Sequence, residues 1–208
     1  EIGLFWLFMA GALAFFGWTI RRRIATFKAG LPDNRFDRPM ERLKGVLVLV
    51  FGQQRLLRDP YAGFYHLLIF YGFCVLGLRS LGLILEGLFN WHMTEALGGF
   101  GLVYQSTKDL FEVLVLLGIG LAMARRVIAK PWRLENSMDG WATLSLIAAL
   151  MATDLLADGA FIALYAPEWK SWAFASNWVA GFLGQGSGIL VLYKSMWWLH
   201  LVILFGFL

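Results

Sequence analysis

The chain has 208 residues, of which 59% are hydrophobic, 16% aromatic and only 15% charged, with a formal net charge of +4. A soluble domain carries about 25% charged residues, so the composition excludes an ordinary soluble domain, and its apolar content excludes a disordered chain. The basic residues fall in short stretches between apolar segments, which argues against nucleic acid as a partner. The single cysteine, Cys74, excludes an intrachain disulfide or thiolate cluster.

A helix needs about 20 apolar residues to cross a bilayer. Residues 2–20 carry no charge and are stopped by Arg21, Arg22 and Arg23. They are followed by a stretch, 21–59, in which the apolar run 46–52 is too short to cross and reads as an interfacial helix. Residues 60–86 form a second span, interrupted by His66 and Arg79. Residues 104–124 form a third, with Lys108, Asp109 and Glu112 near its start. Residues 141–166 form a fourth, with Asp154 and Asp158 inside it. The segment 167–193 is read as an outer loop, rich in glycine and holding Asn177 and Gln185, with one short interfacial or re-entrant helix. A fifth span begins near Lys194 and is cut off at Leu208. The expected fold class is all-α: an integral membrane helical bundle of about five transmembrane helices, forming one domain over residues 1–208. The start at Glu1 without Met and the unflanked end of the fifth span lead us to expect a fragment of a longer chain.

Residues 21–59 carry ten Lys and Arg, and residues 125–140 carry four, Arg125, Arg126, Lys130 and Arg133. Positive residues stay on the cytoplasmic side, so both stretches are expected there and the N-terminus outside. Lys108, Lys170 and Lys194 are the basic residues assigned to the opposite side. Trp91, Trp169, Trp197 and Trp198 lie near span ends, where aromatic belts form.

Ionisable residues at membrane depth are costly and face a bundle interior or a cavity. His66 is followed at helical spacing by Phe70, Phe73 and Gly77. An imidazole followed by flat apolar residues and a glycine suits a haem, with His66 as axial ligand and the rest as its packing face. A buried histidine bonded to a carbonyl is the other reading. His200, after Trp197 and Trp198, is a second candidate axial ligand, and His92 reads as a solvated loop residue. By helical rise, His66 lies roughly 8 Å from the cytoplasmic end of its span and His200 about 9 Å from the outer end of its own. In a core about 30 Å thick they then differ in height by on the order of 10 Å. That is an uneasy separation for two ligands of one iron.

Arg79, Asp109, Glu112, Asp154 and Asp158 form a polar layer in the outer third. Asp109 and Glu112 share one face at spacing 3, Asp154 and Asp158 another at spacing 4. The layer reads as a structural network, or as a quinone head-group and proton-exchange site, or as a propionate anchor. Arg55 and Arg58, just before the second span, are candidates for a cytoplasmic propionate or for a partner domain.

The run Phe64-Tyr65-His66-Leu67-Leu68-Ile69-Phe70-Tyr71-Gly72-Phe73 resembles the histidine-bearing helix of the respiratory nitrate reductase gamma subunit family. With Gly52-Gln53-Gln54-Arg55 and Trp197-Trp198-Leu199-His200, it is more similar to the membrane domain of heterodisulfide-reductase-related iron–sulfur oxidoreductases. That group resembles the membrane electron-transfer-flavoprotein:menaquinone oxidoreductases. The resemblance implies a cytochrome b domain that exchanges electrons between haem b and a menaquinone-type quinone in a prokaryotic cytoplasmic membrane. It also implies iron–sulfur clusters on a cytoplasmic domain or subunit outside this chain, with electron-transfer flavoprotein as a soluble partner. The nitrate reductase pattern has a second histidine further along the helix, where this chain has Leu76. One haem b is therefore expected, with a second left open. The competing expectation is an ion or proton transporter using the buried Arg, Asp and Glu layer.

Overall fold

A computed structural model describes residues 2–30, 36–132, 137–184 and 186–207. Gln185, together with Arg35 and Arg133 of the basic stretches, lies outside them. The described residues contain helices and turns but no strand. Among the described residues four helices are long and apolar enough to cross a membrane, and the fold is an all-α membrane helical bundle. The chain divides into two units, residues 1–64 and 65–207, with the boundary inside one helix.

The first unit opens with α1, Ile2–Lys28. This helix runs past the arginines expected to end it, because charge stops membrane burial but not helix formation, and Arg and Ala are good helix formers. The Arg22 guanidinium lies 4.9 Å over the Trp18 ring. Then comes α2, Pro39–Gly45, which passes directly into a π-helical turn, Val46–Phe51, whose six apolar side chains are all exposed. A 3₁₀ turn, Leu56–Arg58, leads into α3, Pro60–Phe89. Its start is dictated locally. Pro60 occupies the first helical position, where it loses no hydrogen bond, and the Asp59 side chain accepts from Ala62 N at 3.2 Å.

The second unit holds the rest of α3 and five further helices. These are α4 (Met93–Ala96), α5 (Gly98–Ala124), α6 (Met138–Tyr165), α7 (Phe174–Leu183) and α8 (Gly188–Gly206). Ser137 caps α6 by accepting from Gly140 N at 3.3 Å. The helix α6 is central and packs on α5, α7 and α8, while α5 also carries α4 and meets α7. Leu76, Val115, Ile119 and Met151 form the apolar core between α3, α5 and α6. Two glycines let α3 and α5 approach. A Cβ on Gly72 would sit 2.0 Å from Val115 Cγ2, and one on Gly118 would sit 3.0 Å from the Tyr65 carbonyl. Small residues at such seams are the usual route to close packing where lipid removes the hydrophobic drive.

Several boundaries move, and α5 begins at Gly98 rather than at residue 104. The last helix starts at Gly188 rather than near Lys194, so the tail of the supposed outer loop is helical; the run Ile189-Leu190-Val191-Leu192 propagates the helix despite the flanking glycines. The remaining loop holds a 3₁₀ turn, Glu168–Trp172, and the short helix α7. The helix α5 is about 40 Å long, yet its charges keep it out of the four apolar helices. Lys108, Asp109 and Glu112 are all fully buried in the bundle.

Candidate functional site

One face of α5 carries Tyr104, Gln105, Lys108, Asp109 and Glu112, all buried. Opposite it, α6 presents Asp154 and Asp158 one turn apart. From α3, Arg79 reaches both. Its Nε lies 3.2 Å from Asp154 Oδ1 and its Nη2 lies 3.0 Å from Asp158 Oδ1. Lys108 is the hub of the arrangement. Its Nζ lies 2.9 Å from Glu112 Oε1, 2.9 Å from Asp158 Oδ2 and 3.4 Å from Asp154 Oδ2. Gln105 donates from Nε2 to Asp158 Oδ2 at 3.1 Å, and Thr94 donates to Gln105 Oε1 at 3.4 Å. Two cations therefore face three carboxylates, and Glu112 Oε2 has no hydrogen-bond partner among the described residues.

The layer expected from the sequence thus assembles around Arg79, Glu112, Asp154 and Asp158. Lys108, read as a basic residue of the outer side, is instead fully buried at the centre of this layer. Its signal was present as an i,i+4 pair with Glu112, but hydropathy registers only that a charge is there. Asp109 is turned to another task. It accepts from Ser176 N at 3.0 Å, from Ser176 Oγ at 2.7 Å and from Ala175 N, so it anchors the start of α7. Its closest approach to Lys108 is 3.9 Å.

Beside the network a cleft opens between α3, α4, α5, α6 and α8. Its volume is about 60 Å³. Arg79, Gln105, Asp158, Glu86 and His92 line it, with His92 Nδ1 4.0 Å from Glu86 Oε1. Phe161 and Trp169 contribute a stacked aromatic wall, with centroids 5.8 Å apart and planes 7° from parallel; Tyr193 packs on Phe161 at 5.6 Å. Tyr104 donates from its hydroxyl to the Val75 carbonyl at 3.1 Å, which ties α5 to α3 at this level. Glu86, Tyr193 and Lys108 were not among the site residues read from the sequence.

The two membrane histidines differ in setting. His200 is buried, and its Nδ1 lies 3.1 Å from the Leu150 carbonyl and 3.1 Å from Thr153 Oγ. Its Nε2 has no partner among the described residues. An imidazole fixed through one nitrogen with the other left available is the arrangement of an oriented metal ligand. His66 is half-buried, makes no hydrogen bond among the described residues and lies nearly parallel to Phe70, with centroids 6.4 Å apart. On the same face Phe73 is exposed, and a Cβ on Gly77 would meet nothing within 4 Å. That face has room for a flat group. Residues 66 to 79 of α3 cover about 20 Å of rise. Arg79 meets Asp154, and His200 meets Leu150 and Thr153, so His200 lies near the Arg79 level. His66 is then roughly 15 Å away along the bundle. Arg55 and Arg58 are exposed in the first unit. Among the described residues no three His, Cys, Asp or Glu side chains are grouped to hold a free metal ion.

No protein-family model matches the chain, and no solved structure does. Curated proteins do match. The chain is 31% identical over 208 residues to the protein named probable iron-sulfur-binding oxidoreductase FadF of Bacillus subtilis, covering 99% of this chain and 29% of that one. It is 30% identical over 188 residues to the EtfAB:quinone oxidoreductase of Syntrophomonas wolfei, covering 84% of this chain and 26% of that one. The chain is a relative of oxidoreductases. It spans under a third of the length of these two proteins.

Proposed function

We propose that this chain is the membrane electron-transfer part of a quinone-linked respiratory oxidoreductase. It moves electrons between an iron–sulfur domain or partner, a haem b and a menaquinone-type quinone. The observation that carries the reading is His200, a buried imidazole tied through Nδ1 and unpartnered at Nε2, beside a charge network that opens into a polar cleft. The names of the two relatives, iron–sulfur-binding in one and EtfAB:quinone in the other, support the same chemistry.

A b-type haem supplies one-electron transfer when bound. This chain's residues supply its ligation and setting. His200 and His66, on separate levels, are the residues that would hold its iron. Phe70, Phe73 and Gly77 offer the flat face beside His66. Arg55 and Arg58 are placed in sequence to meet a propionate or the iron–sulfur partner. Arg79, Glu112, Asp154 and Asp158 hold a fixed charge layer next to the quinone cleft, and Asp109 anchors the start of α7. The ten Lys and Arg of residues 21–59 support a multi-pass topology in a prokaryotic cytoplasmic membrane with the N-terminus outside. Electron-transfer flavoprotein is the soluble partner this reading favours, and the exposed apolar turn Val46–Phe51 suits the lipid interface.

The test is a reduced-minus-oxidised spectrum of the purified full-length protein, followed by titration with a menaquinol analogue. A b-type α-band that responds to the quinol is expected. Absence of any such band would sink the haem reading and leave the charge layer to an ion or proton transporter.

A further inference from the structure

The quinone reading leaves open how protons reach a head group, and the cleft carries groups for that task which the charge network does not use. Arg79 spends Nε and Nη2 on Asp154 and Asp158, which leaves Nη1 unpartnered among the described residues. The Tyr193 hydroxyl and the Glu86 carboxylate line the cleft, and neither has a hydrogen-bond partner among the described residues. The three groups are part-exposed and line one space with polar atoms free to meet a ligand that enters it. Phe161 and Trp169 add a flat apolar wall. The volume of about 60 Å³ holds only a few waters, so one edge of a ring enters it and the rest of a larger molecule stays outside.

Glu86 and His92 are graded toward water. The Glu86 side chain is 19% exposed and that of His92 is 43% exposed. Their 4.0 Å separation is too long for a hydrogen bond, but one bridging water or a small rotation closes it.

We infer that the cleft seats one carbonyl edge of the quinone between Arg79 and Tyr193, and that Glu86, backed by His92, relays its proton to and from water. This rests on the quinone reading above and assigns the roles within it. Reduction to the quinol takes two electrons from the reduced oxidoreductase partner and two protons. At the seated edge the C=O double bond becomes a single bond. The new O–H bond takes the proton that leaves the Glu86 carboxyl. His92, as imidazolium, returns a proton to the Glu86 carboxylate and takes another from water. The second quinone oxygen is protonated from water beyond the cleft. Quinol oxidation runs the same transfers backwards. Arg79 and Tyr193 donate hydrogen bonds to the oxygen as its charge grows. Lys108 and the aspartates behind Arg79 hold that guanidinium in place.

The experiment uses the full-length protein in membranes with menadiol as the probe, following redox exchange by rapid-mixing absorbance. Glu86→Gln is expected to slow the maximal rate by about a hundredfold. The half-saturating menadiol concentration should change by less than about twofold. His92→Gln should slow exchange less, with the rate restored by added imidazole, and Tyr193→Phe should raise the half-saturating concentration. A Glu86→Gln protein at the wild-type rate, or a His92→Gln protein that imidazole does not rescue, overturns the relay while leaving the quinone reading intact. A wild-type protein that exchanges nothing with menadiol overturns both. Should Glu86→Gln fail to accumulate, the His92 rescue and the Tyr193 variant decide the outcome.

Discussion

Lys108 on α5 and Asp158 on α6 meet at 2.9 Å at a depth where Lys108 has no solvent exposure. The contact makes the lysine a structural counter-charge to three carboxylates at once. Removing one partner of a buried ionic group costs about 3–5 kcal/mol, because the charges left behind stay desolvated and unpaired. Lys108→Met is therefore expected to lower thermal stability in detergent sharply. Adding Glu112→Gln should recover part of the loss, since that carboxylate then needs no counter-charge. Equal melting of Lys108→Met and wild type would remove the lysine from its place as hub.

Much of this layer was legible in the sequence, and the reasons it was incomplete are physical. Asp154 and Asp158 one turn apart, and Arg79 at matching depth, follow from helical rise and period. The partner of a charge does not. Lys108 looked like a basic residue near a span end, and only the packing of α5 against α6 turns it inward. Asp109 looked like a member of the layer, but the start of α7 offers it three donors from residues 66 and 67 positions further on. The end of α1 and the onset of α8 were misplaced because hydropathy marks where a chain meets lipid, whereas the helix follows backbone hydrogen bonding and local propensity. The third span read at residues 104–124 is helical from Gly98, and its buried charges keep it out of the four helices apolar enough to cross a membrane.

The anchoring of α7 by Asp109 has a local signature. Asp109→Asn keeps the shape but halves the acceptor capacity facing Ala175 N, Ser176 N and Ser176 Oγ. A buried donor left unmet costs about 1–3 kcal/mol. Hydrogen exchange should accelerate over Phe174–Leu183 and remain unchanged in the core helix α6. Uniform acceleration across the protein would mean that Asp109 holds the whole bundle and not this one helix.

The close seam between α3 and α5 yields a paired prediction. At Gly72 an added methyl would fall 2.0 Å from Val115 Cγ2, and Val115 is β-branched and buried, so it has little freedom to turn away. Gly72→Ala should destabilise by about 1–3 kcal/mol through overpacking. The second change Val115→Ala should restore stability toward wild type because it removes the methyl that clashes. Melting temperatures of the two single variants and the double variant form the cycle. Simple addition of the two losses would show that the residues do not share the space the fold gives them.

The histidine geometry can be read out by spectrum and retention. Because His200 Nδ1 is served by both the Leu150 carbonyl and Thr153 Oγ, loss of the hydroxyl alone leaves the ring oriented. Thr153→Val is expected to keep a bound haem but to weaken its retention about tenfold, the scale of an outer-partner deletion. His200→Ala is expected to remove the ligand altogether. His66→Ala should produce a different spectral change, since His66 sits roughly 15 Å from His200 along the bundle and axial ligands of one iron lie level across its ring. Pyridine haemochrome content and reduced spectra of the three variants test this together. Identical and complete loss of the b-type signal in His66→Ala and His200→Ala would place both on one iron. The levels set by Arg79–Asp154 and by His200–Leu150 would then have to shift by several turns of helix, which the close packing of α3 on α5 at Gly72 and Gly118 opposes.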